Sequence, residues 1–93
     1  MAQIYSDTIT SGNSATWTPT LSPFGVTVKN NAASAGDALV HIESVSGTFH
    51  DTSDTYNIEP GEKQSFYATD RITSVTITAN GGDVTADATV DFV

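Results

Sequence analysis

The chain has 93 residues, no cysteine and a formal net charge of −8, with three basic residues against eleven acidic ones. This length allows one domain with a modest core, and the lack of cysteine excludes disulfides and thiolate metal sites. The acidic surface excludes nucleic acid as a partner, because no basic stripe offsets the repulsion. Thr and Ser are abundant while Leu, Lys, Glu and Arg are scarce, which predicts an all-β chain.

The N-terminal segment shows no targeting signal. Residues 1–7 have neither the basic region nor the apolar region of a signal peptide. No apolar run approaches the ~18 residues that a membrane helix needs. We therefore expect synthesis in the cytoplasm and no membrane partner.

The first predicted strand covers residues 4–9, followed by a hairpin turn at Ser11-Gly12 and a returning strand that carries Trp17. Ile4 and Ile9 have opposite parity, so we expect a bulge or kink between them. Trp17 has inward parity, and its burial would contribute about a few kcal/mol at roughly 25 cal/mol per Å².

Two prolines separate these strands from the next pair. Pro19 and Pro23 lack the amide hydrogen that a central strand needs, so their segment is expected at a sheet edge or corner. Two further strands are predicted around Val26–Val28 and Val40–Ile42. The connection between them is long and rich in small residues, which indicates a loop rather than a tight turn.

Residues 45–54 interrupt the pattern and are interpreted as an inserted loop or crossover. Within them, His50, Asp51 and Asp54 supply nitrogen and oxygen donors that could bind Ca²⁺ or another cation. The segment lacks the alternating oxygen ligands and the bidentate Glu of a calcium loop. A turn whose side chains bond the local backbone explains the same residues and is favoured, so no metal site is predicted.

The second half begins with a short strand and a turn at Pro60-Gly61, where Pro presets φ and Gly accepts the positive φ of a type II turn. This turn predicts a hairpin whose returning strand places Phe66 inward. Strict alternation predicts strands over residues 74–79 and 84–92. The connection Asn80–Asp83 contains two glycines and predicts a tight hairpin between them.

The two halves of the chain repeat each other. Ile9–Trp17 matches Ile58–Phe66 position for position, and Val26–Val28 matches Val75–Ile77 in the same register. Such a repeat indicates one architecture built from two similar units. It also favours a structural role, because both copies repeat turn and core positions and neither repeats a chemical group.

The predicted fold is an all-β, two-sheet antiparallel sandwich of about eight strands. A single sheet of eight strands would leave one face unburied, so two sheets must pack face to face. We expect one domain over residues 1–93, with a pseudo-twofold relation between halves at roughly 4–45 and 55–93.

Candidate catalytic groups are few. His41 and Glu43 share the outer face of one predicted strand, but an acid–base dyad would also need a nucleophile and a sheltered pocket. A solvated surface pair explains both residues. No Ser–His–Asp set, phosphate-binding loop or HExxH motif is present, so we predict no enzyme, no catalytic residue and no cofactor.

Four residues are interface candidates, namely Tyr5, Tyr67, Phe92 and Val93. Both tyrosines have outward parity if their apolar neighbours face the core, and tyrosine is concentrated at interfaces. Phe92 and Val93 end the chain with apolar groups on both faces of the last strand, where a free end is normally polar. We expect a protein partner, either a capsid protein or a homo-oligomer, with a trimer as the preferred homo-oligomer.

Three stretches resemble bacterial and viral immunoglobulin-like (Ig-like) domains, namely Val26–Asn31, Val40–Ile42 and Ile58–Glu62, the last followed by Phe66. Those domains show a V-x-V-x-N strand, a variable loop and an I-x-P-G-E turn before an apolar strand. The resemblance spans residues 26–79 and implies an Ig-like sandwich. The chain departs from antibody-type domains in lacking both cysteines, and the fold by itself implies no function.

The profile as a whole resembles the small accessory proteins of tailed-bacteriophage virions, which decorate capsids or tip fibres. It consists of a short Cys-free sandwich rich in Ser and Thr with an acidic surface. This resemblance implies a non-enzymatic structural module, a capsid decoration or cement protein on the virion surface. The alternative is an extracellular carbohydrate-binding or adhesin-type module, which would need exposed aromatic side chains along one face.

Overall fold

The computed structural model describes residues 4–20, 23–45, 47–48, 55–68 and 70–92. These residues form nine strands, listed in chain order: β1 Ile4–Ile9, β2 Ser14–Trp17, β3 Gly25–Asn30, β4 Asp37–Ser44, β5 Gly47–Thr48, β6 Tyr56–Ile58, β7 Lys63–Tyr67, β8 Ile72–Asn80 and β9 Val84–Phe92. Across the described residues, the structure contains no helix with the length and apolar character of a membrane span.

The strands form two antiparallel sheets. Sheet 1 has the order β1-β9-β3-β7, and sheet 2 has the order β2-β8-β4, with β6 and the two-residue β5 both paired to the far side of β4. Without β5, which only extends one end of β4, each sheet has four strands. The predicted all-β sandwich of eight strands is thereby confirmed.

The strand order is that of a jelly roll, a sandwich of two four-stranded sheets with Greek-key connections. Within each half, every strand lies in the sheet opposite to the strand before it. Immunoglobulin sheets instead place several consecutive strands side by side. The resemblance to Ig-like domains therefore does not extend to the strand order.

The core lies between the sheets and is formed by the inward side chains of both halves. Alternation within β9 shows this directly, because Val84, Ala86 and Ala88 are at most 1% exposed while the intervening residues face solvent. The buried apolar side chains are Ile9, Trp17, Val26, Val28, Ala38, Val40, Ile42, Ile58, Phe66, Ile72, Val75, Ile77, Ala79, Val84, Ala86, Ala88 and Val90. Both sheets thus turn their apolar period-two face inward.

The pseudo-twofold repeat is present in the strand register. Trp17 is the Cα partner of Val75 in the β2–β8 pair, and its counterpart Phe66 is the partner of Val26 in the β3–β7 pair. Trp17 and Phe66 are both buried, at 9% and 2% exposure. The predicted equivalence of these two aromatic residues is therefore confirmed.

The turns at Gly12 and Gly61 are equivalent, as predicted, but neither closes a hairpin. Both glycines have positive φ, 83° and 88° respectively. Each turn joins a strand of one sheet to a strand of the other, β1 to β2 and β6 to β7. The hairpin prediction was wrong because turn chemistry specifies a local reversal of the chain and does not specify whether the two strands then pair.

The predicted tight hairpin at Asn80–Asp83 was wrong for the same reason. It connects β8 in sheet 2 to β9 in sheet 1. The carbonyl of Asp83 accepts hydrogen bonds from the amides of Ala35 and Gly36, at 2.9 and 3.1 Å, so the two inter-sheet connections pack on each other. The backbone contact at this end of the sandwich ties the first half to the second.

The bulge expected in β1 is absent. Its pairing with β9 runs without a break from Ile4 opposite Thr89 to Ile9 opposite Val84. Tyr5 therefore shares the side of β1 on which Ile9 lies. Register shifts occur instead between Gly25 and Val26 in the β3–β9 pair, and near the end of β4.

Candidate partner-binding surface

The outer face of sheet 1 carries three rows of residues across β9, β3 and β7. The first row contains Asp87, Lys29 and Lys63, the second contains Thr89, Thr27 and Ser65, and the third contains Gly25 and Tyr67, with Phe92 as the backbone partner of Gly25 in β9. We call these rows the charged row, the hydroxyl row and the aromatic row. β7 is an edge strand of sheet 1, so the three rows end at an edge of the sheet.

Two of the three basic side chains of the chain meet in the charged row. Lys29 and Lys63 are direct cross-strand partners, and both are exposed. Like charges placed directly opposite each other are destabilising. Asp87, the partner of Lys29 on its other side, offsets part of this repulsion. The pair is a local basic spot on a chain with a net charge of −8.

The hydroxyl row is held by side-chain hydrogen bonds. The Thr27 hydroxyl lies 2.8 Å from the Ser65 hydroxyl and 2.5 Å from a carboxylate oxygen of Asp91. Since a carboxylate only accepts, Thr27 donates to Asp91 and Ser65 donates to Thr27. These contacts fix the rotamers at the centre of the face and connect β9, β3 and β7.

The aromatic row combines an exposed ring with a glycine. Tyr67 is 52% exposed at the end of β7, and its Cα partner is Gly25. On the other side of Gly25 the backbone partner is Phe92, the last residue of β9. The register thus brings together two of the predicted interface residues. Nearby, the Arg71 guanidinium lies 4.9 Å from the centre of the Phe24 ring.

Tyr5 is not the outward-facing residue that parity predicted. Its ring stacks on Trp17 at a centroid distance of 5.5 Å and an interplanar angle of 12°, which closes the open seam between β1 and β2. Its hydroxyl donates to a carboxylate oxygen of Asp7 at 2.9 Å. Partial burial, together with this carboxylate, raises the pKa of Tyr5 to about 12. The Tyr5 ring therefore packs within the fold, against Trp17.

The opposite seam, between β6 and β7, is closed in the same manner. Tyr56 meets Phe66 edge to face, with ring centroids 5.5 Å apart. Its hydroxyl donates to the Gln64 side-chain oxygen at 3.1 Å. Phe66 is the repeat counterpart of Trp17, so each half contributes one buried ring that a tyrosine covers. The aromatic residues of the seams stabilise the sandwich, whereas Tyr67 in sheet 1 is 52% exposed.

The other residues singled out in the sequence have mixed outcomes. His41 and Glu43 lie on the outer face of β4, where Nε2 of His41 is 3.8 Å from a carboxylate oxygen of Glu43. Val93, and the proposed cation ligands His50, Asp51 and Asp54, lie outside the described residues. Among the described residues, no group of three or more His, Cys, Asp or Glu side chains is placed to hold a metal ion.

Sequence reasoning missed the lysine pair. Lys29 and Lys63 are 34 positions apart, and local patterns do not reveal that β3 pairs with β7. The repeat supplies only part of the signal, because it aligns equivalent positions and does not say which strands pair. Once Ser14 and Lys63 are aligned as equivalent positions, and Thr78 with Lys29, the observed pairing of Ser14 with Thr78 implies a pairing of the lysines.

No protein-family model and no curated protein sequence matches the chain. Among solved structures, a de novo designed double-stranded β-helix is similar with a TM-score of 0.62 and 11% identity, covering 96% of this chain and 99% of that one. The SPBc2 prophage-derived protein YomS is similar with a TM-score of 0.52 and 15% identity, covering 97% and 94%. A structure of Bacillus endospore appendages, which form disulfide-linked pili, has a TM-score of 0.48 and 18% identity, covering 100% and 92%.

The first two similarities concern the fold. They extend over nearly the whole of each chain, so the likeness concerns the whole sandwich rather than one sheet of it. A double-stranded β-helix is another description of this strand order. At these identities no residue of the candidate surface is carried over from the similar structures, and function must be argued from the surface itself.

Proposed function

We propose that the chain is a non-enzymatic structural module that docks on the outside of a bacteriophage virion as a capsid decoration or cement protein. The docking surface is the outer face of sheet 1 between Lys63 and Tyr67. The observation that carries this proposal is the cross-strand pair of Lys29 and Lys63 on the same sheet face as the exposed Tyr67, two rows away. The chain is made in the host cytoplasm and acts at the virion surface.

Charge is the first support for this surface. The net charge of −8 repels an acidic partner from most directions. The opposed lysines create one region where carboxylates of a partner are attracted, and such complementarity fixes orientation and speeds encounter. Like charges directly opposite each other lower the stability of the free protein. A partner carboxylate between Lys29 and Lys63 would therefore relieve their repulsion on binding.

The aromatic row is the second support. Tyrosine is enriched among the residues that contribute most to binding energy, because a rigid ring buries a large area at a small cost in side-chain entropy. Tyr67 lies at an outward position of β7, like Lys63, and four positions further along the strand. A partner that contacts both would bury a compact patch with an apolar end and a charged end.

The fold is the third support, as an analogy. The prophage-derived YomS is similar in fold over 94% of its length. A fold alone hosts many functions, so this likeness only makes a phage context a reasonable place to test. The preferred partner is a capsid protein, and a homotrimer that forms before docking is the second possibility.

Genomic context is the first test. Genes for capsid, portal or tail proteins are expected beside the gene for this chain, and a neighbourhood without any of them would count against the virion role. The capsid protein encoded there then supplies empty shells for a co-sedimentation assay. Analytical ultracentrifugation of the chain alone, over a wide concentration range, reports whether a trimer precedes docking.

The binding variant and its control change positions that are equivalent in the repeat. The double substitution Lys29→Thr with Lys63→Ser removes the basic pair, and should weaken shell binding at least about tenfold if the pair meets carboxylates. The control, Ser14→Glu with Thr78→Glu, changes the equivalent positions of sheet 2 and lowers the net charge by the same two units. Equal losses from both variants would assign the effect to overall charge and reject the proposed face.

A third variant tests the aromatic end of the face. Tyr67→Ala should reduce binding more than it lowers the unfolding midpoint, because the ring is 52% exposed. Deletion of Phe92 and Val93 should likewise weaken assembly more than folding. If the protein binds no shell but Tyr67 is needed for retention on a glycan array, the extracellular carbohydrate-binding alternative replaces the virion role.

A further inference from the structure

The two halves of the chain are interleaved in both sheets. Strands β1–β4 form the first half and β6–β9 the second. In sheet 1 the order β1-β9-β3-β7 alternates first, second, first, second, and in sheet 2 the order β2-β8-β4-β6 does the same. Every strand of one half therefore has its sheet neighbours in the other half.

The number of strand pairings between the halves shows how completely they are interleaved. Six pairings join the halves: β1–β9, β2–β8, β3–β7, β3–β9, β4–β6 and β4–β8. Among the described residues no two strands of the same half pair with each other. The remaining pairing attaches β5, which lies between the two halves, to the end of β4.

A half without its counterpart could not satisfy its own backbone. Its four strands would leave the ladder groups unpaired, and unpaired strand edges recruit other chains. Its apolar face would also be open, since Val28 and Ile77, one from each half, are both 0% exposed in the complete sandwich. Each half is thus a binding partner whose complement is the other half.

We propose that two copies of this chain exchange halves to form a domain-swapped dimer. The first half of one copy pairs with the second half of its partner, and the reverse pairing completes a second sandwich. All six pairings and the whole core are reproduced in each sandwich. The exchange changes how the two halves are connected and leaves the pairings within each sandwich as they are.

Concentration decides between the two forms. Since both forms contain the same contacts, they differ in the entropy of joining two chains and in the conformation of the joining segment. Refolding from denaturant at high protein concentration should therefore yield dimer, and refolding at low concentration should yield monomer. Native monomers should exchange slowly, because all six pairings must open first.

Complementation between two full-length variants tests the exchange. Val28→Asp disrupts the first half and Ile77→Asp the second, because each places a carboxylate in the core. Alone, each variant should fail to fold. After co-refolding at high concentration, the intact second half of the Val28→Asp chain and the intact first half of the Ile77→Asp chain should form one native sandwich. A cooperative unfolding transition, followed by Trp17 fluorescence, should appear in a complex of dimer mass.

The control mixture combines Val28→Asp with Val40→Asp, which both damage the first half. No intact first half is then present, so no cooperative transition is expected. A mixture of opposite-half variants that behaves as the sum of its unfolded components would overturn the proposal. A transition in the control mixture, or in one variant alone, would also overturn it, since a half would then be pairing with another copy of itself.

Discussion

The turns at Gly12 and Gly61 are held by the same backbone hydrogen bonds and differ at one buried side chain. In the first, the Gly12 amide donates to the Ala79 carbonyl at 2.8 Å, and the Ala79 amide donates to Asn13 at 3.0 Å. In the second, Asn30 occupies the place of Ala79, and the corresponding bonds have the same lengths of 2.8 and 3.0 Å. The repeat is therefore retained in the backbone while the two halves diverge in side chains.

The difference at Asn30 follows from the length of the neighbouring connection. Its side-chain amide donates to the carbonyls of Gly36 and Ile58, at 3.0 and 2.9 Å, and so ties the long β3–β4 connection to β6. In the other half the β8–β9 connection is shorter, and the residue equivalent to Asn30 is Ala79 in β8. A buried polar group is tolerated where a longer loop must be held, and its Oδ1 is left without a protein partner.

The largest expected effect comes from Asn30→Asp. This substitution places a carboxylate against two carbonyl oxygens, and should lower the free energy of unfolding by about 3–5 kcal/mol at neutral pH. Burial raises the pKa of the new carboxyl in the folded state, so the folded protein binds more protons than the unfolded one. Stability should therefore fall as pH rises from about 4 toward neutrality.

Urea unfolding at several pH values measures this effect. Asn31→Asp is the matched control, because its side-chain oxygen accepts a hydrogen bond from the Ala33 amide at 2.8 Å and a carboxylate can accept the same bond. The control should lose little stability. Similar losses in the two variants would contradict the role assigned to Asn30.

Gly36→Ala should have the next largest effect. A Cβ at this position would lie 2.3 Å from the Gly82 carbonyl oxygen and 2.7 Å from that of Asn80, so the two inter-sheet connections would have to separate. A loss of about 2–3 kcal/mol is expected from overpacking against backbone. A variant that unfolds at the wild-type urea concentration would show that this contact is not required.

Gly12→Ala and Gly61→Ala compare the two turns directly. Both positions have open space or ordinary contact around an added Cβ, so the cost arises from positive φ alone. Each substitution should cost about 1 kcal/mol, and the two values should agree within roughly 0.5 kcal/mol. Clearly unequal losses in chemical denaturation would separate the turns that the repeat makes equivalent.

Tyr5→Phe should have the smallest effect, visible only at high pH. The folded pKa of Tyr5 is raised from 10.0 to about 12, so its neutral form is favoured in the folded state. The associated stability is present below pH 10 and is lost as pH rises toward 12. Phe keeps the ring on Trp17 and removes the ionisation, so the variant should show a weaker decline in stability over that interval. A Tyr56→Phe control reports on tyrosine loss at the other seam.

Local sequence patterns predicted the strands and turns but not which strands pair with each other. Alternation identified β8 and β9, and glycine identified the turns at Gly12 and Gly61, because these properties depend on neighbouring residues. The pairing of Thr27 with Ser65 depends on residues 38 positions apart, and hairpin rules favour adjacent strands instead. Tyr5 was misplaced because alternation was counted from Ile4 rather than from Ile9.

Asn30 could have been found and was not. It follows Val26 and Val28 at the next inward position of the same alternation, where a polar residue signals a buried hydrogen-bonding role. The lysine pair of the candidate surface required knowledge of the pairing between halves. The candidate surface was therefore only partly accessible, since Tyr67 and Phe92 were identified individually but not as neighbours of Gly25.

Engineered cysteine pairs test the interleaving of the two halves most directly, because the chain contains no cysteine of its own. The Thr16 and Thr76 hydroxyls lie 3.1 Å apart in sheet 2, and Thr27 and Ser65 occupy the equivalent positions in sheet 1. We predict that Thr16→Cys with Thr76→Cys, and Thr27→Cys with Ser65→Cys, both form disulfides in the folded monomer. Thr8→Cys with Ala15→Cys, which would be partners in a hairpin at Gly12, should stay reduced. Disulfide formation in that last pair, with none in the first two, would contradict the interleaved fold.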